Sequence, residues 1–122
     1  MKILVVDDEK DIVENICAFL LKKGYSIDKA YDGQEAWELM KQDVYGLVFL
    51  DFNMPGLTGI EVIKLIKENH LQAKVVMITA YQDMKEFFAK RIGADEYLNK
   101  PYKLEDIENI VKKYTEKKTG ID

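Results

Sequence analysis

Five residues with chemical uses stand at or just beyond the ends of short apolar runs. Asp7 and Asp8 follow Ile3–Val6, Asp51 follows Leu47–Leu50, Thr79 follows Val75–Ile78, and Lys100 comes soon after Tyr97-Leu98. Carboxylates gathered in one place repel and raise one another's pKa unless a cation shares the site. Three aspartates with one ammonium make a hard, oxygen-rich pocket of the type that holds Mg2+, which keeps some waters and takes few carboxylates plus a phosphate. Strand-end aspartates also act as helix N-caps, and for Asp8, before the first helical period, capping alone is a sufficient role. Capping does not account for Asp7, Asp51 and Lys100 together.

These residues share a site only if the runs before them lie side by side. The four runs do not alternate, which marks strands covered on both faces, as in a parallel sheet. A fifth segment, Tyr25–Ala30, alternates and suits an edge strand. Helical periods lie between and after them: Ile12, Ile16, Phe19, Leu20; Ala36, Leu39, Met40; Val62, Ile63, Ile66; Met84, Phe88, Ile92; and Leu104, Ile107, Val111, Tyr114. Each turns one stripe toward the sheet. Asp32 with Glu35 and Thr58 with Glu61 have capping-box spacing, and Gly24 and Gly93 stand where helices should stop. Strand and helix alternate five times, which with right-handed crossovers gives an α/β fold with helices on both faces of a parallel sheet. Ligands in such a sheet bind at the carboxyl ends of the strands, where the winding reverses.

The chain has 122 residues, 48% hydrophobic and 33% charged, with a net charge of -4. That length predicts one domain, expected over 1–118, with 119–122 as a tail or the start of a linker. The composition excludes a disordered or collagen-like chain, and no apolar run approaches the roughly 18 residues of a membrane span. Ile3–Val6 is cut short by Asp7-Asp8, so it cannot be the apolar region of a signal peptide, and the expected location is the cytoplasm. The single Cys17 closes no internal disulfide and fits the core beside the first helical stripe. Net acidity argues against direct nucleic-acid binding, and the lysines at 112, 113, 117 and 118 are interleaved with Glu108 and Glu116 as on a solvated face.

The set Asp7-Asp8, Asp51 with Met54-Pro55 and Gly59 behind it, Thr79-Ala80 and Lys100-Pro101 resembles the receiver domain of two-component response regulators, across about residues 2 to 115. The resemblance implies a doubly wound, flavodoxin-like (βα)5 fold with strand order 2-1-3-4-5. It also implies that Asp51 takes a phosphoryl group from a partner's phosphohistidine, forming an acyl phosphate. Asp8 and Asp51 would ligate Mg2+ or Mn2+ directly, Asp7 directly or through water, and Asn53 through its backbone carbonyl. Lys100 would reach the phosphoryl oxygens as a point charge, with Asn53, Thr79 and Ala80 completing their contacts. A cis bond at Lys100-Pro101 belongs to the same pattern. On switching, Thr79 would swing toward the phosphoryl group and Tyr97 would rotate into the vacated space. The readout surface would be the fourth helix, fifth strand and fifth helix.

The partners implied are a sensor histidine kinase or a histidine phosphotransfer protein, met through the first helix at Asp11, Asn15 and Ala18 and through the loop at Pro101 and Tyr102. A downstream protein target or an output domain would read the switch; no membrane is implied, and the domain is expected to be a monomer or a weak phosphorylation-dependent dimer. Phe87, which one stripe cannot easily bury together with Phe88, is assigned to a partner or dimer patch. The protein is expected to catalyse its own phosphorylation and dephosphorylation rather than to be an enzyme.

Some positions depart from the family pattern. The stretch from Thr79 to Lys100 is one residue shorter than the commonest spacing, so the start of the fourth helix is expected to be altered. Lys103 replaces a frequent N-cap aspartate. Asn53 and Tyr81 flank the expected path of an attacking water with opposing effects. His70 reads as a solvated helix end and Trp37 as packing or partial exposure. Four alternatives stand beside the receiver. An aspartyl phosphatase usually has a second acid two residues after the nucleophile, where this chain has Asn53. A flavodoxin-like cofactor carrier needs a phosphate loop that Asp7-Asp8-Glu9 would repel. The intact acidic set and Lys100 argue against a pseudo-receiver used only for binding. An N-terminal receiver of a larger DNA-binding or enzymatic regulator is fully compatible with the sequence.

Overall fold

In a computed structural model, which describes residues 1–54, 56–80 and 91–116, the five apolar segments form the strands β1 (Lys2–Val6), β2 (Ser26–Ala30), β3 (Leu47–Asp51), β4 (Lys74–Thr79) and β5 (Glu96–Asn99). They build one parallel sheet in the order β2-β1-β3-β4-β5. Successive strand residues point to opposite faces, so an unbroken apolar run needs cover on both. Leu4, Val6, Val48, Leu50, Val75 and Met77 are buried in one cluster with Ala36, Met40, Val62 and Ile66. Ile3, Val5, Leu47, Phe49, Val76 and Ile78 are buried in the other with Val13, Ile16, Leu20, Ile107 and Val111. The sheet has two edges: the alternating β2, as its pattern predicts, and β5, whose residues are half-buried rather than covered on both faces as the run Tyr97-Leu98 was expected to be, because no further strand pairs beyond it among the described residues.

The described helices are α1 (Lys10–Lys22), α2 (Gly33–Gln42), α3 (Gly59–Glu68) and α4 (Leu104–Glu116). The last corresponds to the fifth helical period of the sequence, while Met84 and Phe88 of the fourth lie outside the described residues, as does the altered helix start expected there. α2 and α3 cover one face, α1 and α4 the other. Thr58 and Glu61 form the complete capping box. At α2 the reciprocity is shifted by one residue: Asp32 accepts from the Glu35 N–H at 2.7 Å, but the Glu35 carboxylate accepts from the N–H of Tyr31. Gly24 and Gly93 take positive φ values of 94° and 103°, as expected of helix stops.

One further expectation changes, and the capping role open to Asp8 is not taken up. Leu104, assigned to the inward stripe of the last helix, is 36% exposed because it opens α4 at the rim; Ile110 is buried instead. Asp8 is not the cap of α1, since that position falls to Glu9, whose side chain makes no capping hydrogen bond. At α4 the Asp106 carboxylate accepts from the Lys103 N–H at 2.9 Å, which holds a start that Lys103 itself cannot cap. Among the described residues no helix is long and apolar enough to cross a membrane.

Candidate functional site

The chain winds one way from β1 to β2 and the other way through β3, β4 and β5, so the reversal falls between β1 and β3. Register then fixes which side chains meet there. Val6 pairs with Leu50, which sets Asp7 beside Asp51 one step further along. Asp51 pairs with Ile78 and Thr79 pairs with Asn99, which brings Thr79 and then Lys100 to the same end of the sheet. Backbone hydrogen bonds extend the ladder past the strands: Phe52 N–H to Ile78 O at 2.7 Å, and Lys100 N–H to Thr79 O at 2.8 Å.

Asp7, Asp51 and Thr79 are 1%, 4% and 1% exposed, whereas Asp8 is open to solvent. Asp7, Asp8 and Asp51 can each offer a carboxylate oxygen, all within 4.8 Å of one another. The Lys100 Nζ lies 3.2 Å from Asp51, 3.5 Å from Glu9 and 3.7 Å from Asp7. Its peptide bond to Pro101 is cis. The Glu9 N–H donates to Asp7 Oδ1 at 3.0 Å, while Asp7 Oδ2 is buried with no hydrogen-bond partner. A cavity of about 190 Å³ opens over this group, lined by Asp8, Glu9, Asp51, Asn53, Thr79, Ala80 and Lys100 among others.

The electrostatics follow from burial and crowding. Burial, and then the charge of Asp7, push the Asp51 carboxyl up to about 6 against the pull of Lys100. Burial also raises Asp7, opposed by the Glu9 N–H and Lys100. For Lys100 burial works downward, but Asp51 and Asp7 outweigh it and hold the ammonium above its ordinary value. Buried acids held together, one with an oxygen that accepts no hydrogen bond, fit a small hard cation with oxygen ligands. The residues present therefore suit a divalent metal.

α3 begins against the strand that carries Asp51, and this fixes one residue type. A Cβ on Gly59 would stand 2.8 Å from the Asp51 carbonyl oxygen and 3.2 Å from the Phe52 Cα, so a side chain there would force the loop behind Asp51 outward. Tyr97 is half-buried against the core cluster of its sheet face. Asp11, Asn15 and Ala18 are exposed on α1, and beside them Ile12, Asn15, Pro101, Tyr102 and Leu104 line a groove of about 410 Å³. Pro101 is exposed, while Tyr102 is half-buried and its hydroxyl is pushed up to about 12, chiefly by burial. Phe87 and Tyr81 lie outside the described residues. Glu9 was not among the candidates read from the sequence. Its adjacency to Asp8 was visible, but its approach to Lys100 depends on the β5 register, which no local pattern encodes.

A family model for the response regulator receiver domain matches residues 3–112. The chain belongs to this family. It is 38% identical over 108 residues to the transcriptional regulatory protein DltR of Streptococcus agalactiae, an alignment covering 88% of this chain and 48% of that protein. The chain thus spans about half the length of the curated relatives it matches. Among solved structures it superimposes on the Francisella response regulator 1452 receiver domain with a TM-score of 0.88, at 28% identity, covering 96% of this chain and 98% of that one. It also resembles the response regulator TrrA of Thermotoga maritima, solved in complex with Mg2+-BeF, with a TM-score of 0.81 and 38% identity over 93% of this chain and 97% of that one. The five-stranded order 2-1-3-4-5 is the receiver fold, and receivers are in general not classical enzymes.

Proposed function

We propose that this receiver accepts a phosphoryl group onto Asp51 from a phosphohistidine on a sensor histidine kinase or a histidine phosphotransfer protein, in a reaction that needs Mg2+ or Mn2+. The observation that carries this reading is the meeting of Asp51 with Asp7, Asp8 and Lys100 at the winding reversal. Phosphoryl transfer asks chiefly for positioning and charge neutralisation, and the site is built for both.

A carboxylate oxygen of Asp51 forms the new bond to phosphorus while the phosphorus–nitrogen bond to the donor imidazole breaks; the leaving imidazole keeps that electron pair and takes a proton. Asp7, Asp8, Asp51 and the Asn53 carbonyl would hold the metal, which neutralises the oxygens during transfer. Lys100 adds a fixed positive charge to the same oxygens. Thr79 and the Ala80 N–H would bond the new phosphoryl group, Asn53 lies beside it, and Tyr97 would move inward as Thr79 shifts. The receiver would catalyse both its phosphorylation and its hydrolytic dephosphorylation.

The partner would dock on Asp11, Asn15 and Ala18 and on Pro101-Tyr102, next to the mouth of the pocket. The switched surface would then act on a downstream target or an output domain in the cytoplasm. Coverage of only 48% of DltR favours the receiver of a larger regulator as a second reading.

Intact mass after incubation with Mg2+ and acetyl phosphate tests the acceptor. The protein should gain one phosphoryl group, and Asp51→Asn should gain none. No gain in either, or an equal gain in both, would overturn the assignment.

A further inference from the structure

We propose that Glu9 is a positioning residue that holds the Lys100 ammonium at the outer side of the acidic pocket and so limits its competition with the metal for Asp51 and Asp7. This rests on the metal-dependent reading of the site given above.

Glu9 occupies the N-cap of α1, a place where a short side chain usually accepts from the first turn of the helix. Its carboxylate makes no such bond. It instead lines the cavity and stands 3.5 Å from Lys100, on a side chain that is 63% exposed. Asp51 at 3.2 Å and Asp7 at 3.7 Å from the same ammonium are both buried. Both belong to the group that fits a divalent cation, and Glu9 does not.

A cation and an ammonium cannot lie on the same carboxylate oxygens without repelling each other. When the metal enters, Lys100 must give up part of its contact with Asp51 and Asp7. The exposed Glu9 offers it a counter-charge away from the metal and within reach of the cavity mouth. Without that charge the ammonium settles on the buried pair, and metal binding must displace it. Because the Glu9 end of the pair is largely solvated, its effect is modest, about 1.5- to 5-fold in metal affinity.

The test is a calorimetric Mg2+ titration of the full chain, with melting temperatures measured in metal-free buffer. Glu9→Gln should weaken Mg2+ binding by about 1.5- to 5-fold, and the factor should shrink in a Lys100→Met background. Glu9→Ser places a competent cap at the start of α1, so it should raise the melting temperature while weakening Mg2+ binding. A purely structural role predicts that stability and affinity move together. Unchanged Mg2+ affinity in Glu9→Gln, an equal factor with and without Lys100, or parallel changes in Glu9→Ser would overturn the role of Glu9 alone. Failure of the unsubstituted protein to bind Mg2+ would overturn the metal-dependent reading and this inference with it.

Discussion

The Asp51 carboxyl titrates near 6 in the folded protein and near 3.8 when unfolded, because burial and the charge of Asp7 oppose its ionised form. The sign of the linked stability follows. Between these values the folded state holds more protons than the unfolded one, so stability falls as pH rises through this window. Well above it the cost is constant. A displacement from 3.8 to about 6 corresponds to about 3 kcal/mol at pH 7.5, falling to about 0.6 kcal/mol at pH 4. Replacing Asp51 by asparagine keeps the shape and removes the charge. Asp51→Asn should therefore stabilise the metal-free protein by about 3 kcal/mol at pH 7.5, although it deletes a partner of Lys100.

Urea unfolding in the presence of EDTA measures this directly. With the usual dependence on urea for small proteins, the midpoint of Asp51→Asn should lie about 1–2 M above that of the unsubstituted protein at pH 7.5. At pH 4 the two curves should nearly coincide. Saturating Mg2+ at pH 7.5 should also narrow the gap, since the cation stabilises the form that carries the charge. A variant no more stable than its parent at pH 7.5, or a gap that persists unchanged at pH 4, would refute the account of Asp51 as a desolvated charge.

Thr58→Ala removes the side-chain half of the capping box, the Glu61 N–H to Thr58 Oγ1 bond at 3.3 Å, and keeps the backbone Thr58 N–H that donates to the Glu61 carboxylate at 2.8 Å; thermal unfolding should show a loss of about 1 kcal/mol. Gly59→Ala should cost about 1–3 kcal/mol by overpacking against the Asp51 carbonyl, and the rate of mass gain with acetyl phosphate should fall as the loop behind Asp51 shifts.

Much of the fold was legible because the sheet writes itself directly into the chain. A strand covered on both faces must be apolar at every position, and Ile3–Val6, Leu47–Leu50 and Val75–Ile78 are. The edge strand β2 showed itself by alternation. The location of the pocket followed from the residues that end those strands and from the general rule for winding reversals. What stayed hidden depends on contacts far apart in sequence or on choices within one turn. Leu104 keeps the helical period, yet its place at the first residue of α4 leaves it at the rim. Asp8 and Glu9 are both acidic and adjacent, so only the backbone path decides which is the cap of α1. The Asn99 side chain carries a buried oxygen that accepts no hydrogen bond among the described residues, a property that no local pattern announces.

The cost of the site also explains why the strands beneath it are so uniform. Asp7 and Asp51 stand level because Val6 pairs with Leu50, and a slip of one residue between β1 and β3 would turn one carboxylate to the opposite face. The aligned state crowds two buried acids, which by itself disfavours that register. Ile3, Leu4, Val5, Val6, Leu47, Val48, Phe49 and Leu50 oppose this, because each is at most 1% exposed in the aligned state and a slip would move every side chain of one strand to the wrong cluster. Both clusters are apolar, so the penalty of a slip is mispacking rather than exposure, about 1–3 kcal/mol for each ill-fitting side chain, and a few such misfits outweigh the cost carried by Asp51. The apolar runs therefore do more than form a core: they hold in place an arrangement of charges that would otherwise move apart, and that held repulsion is what leaves the pocket ready for a cation.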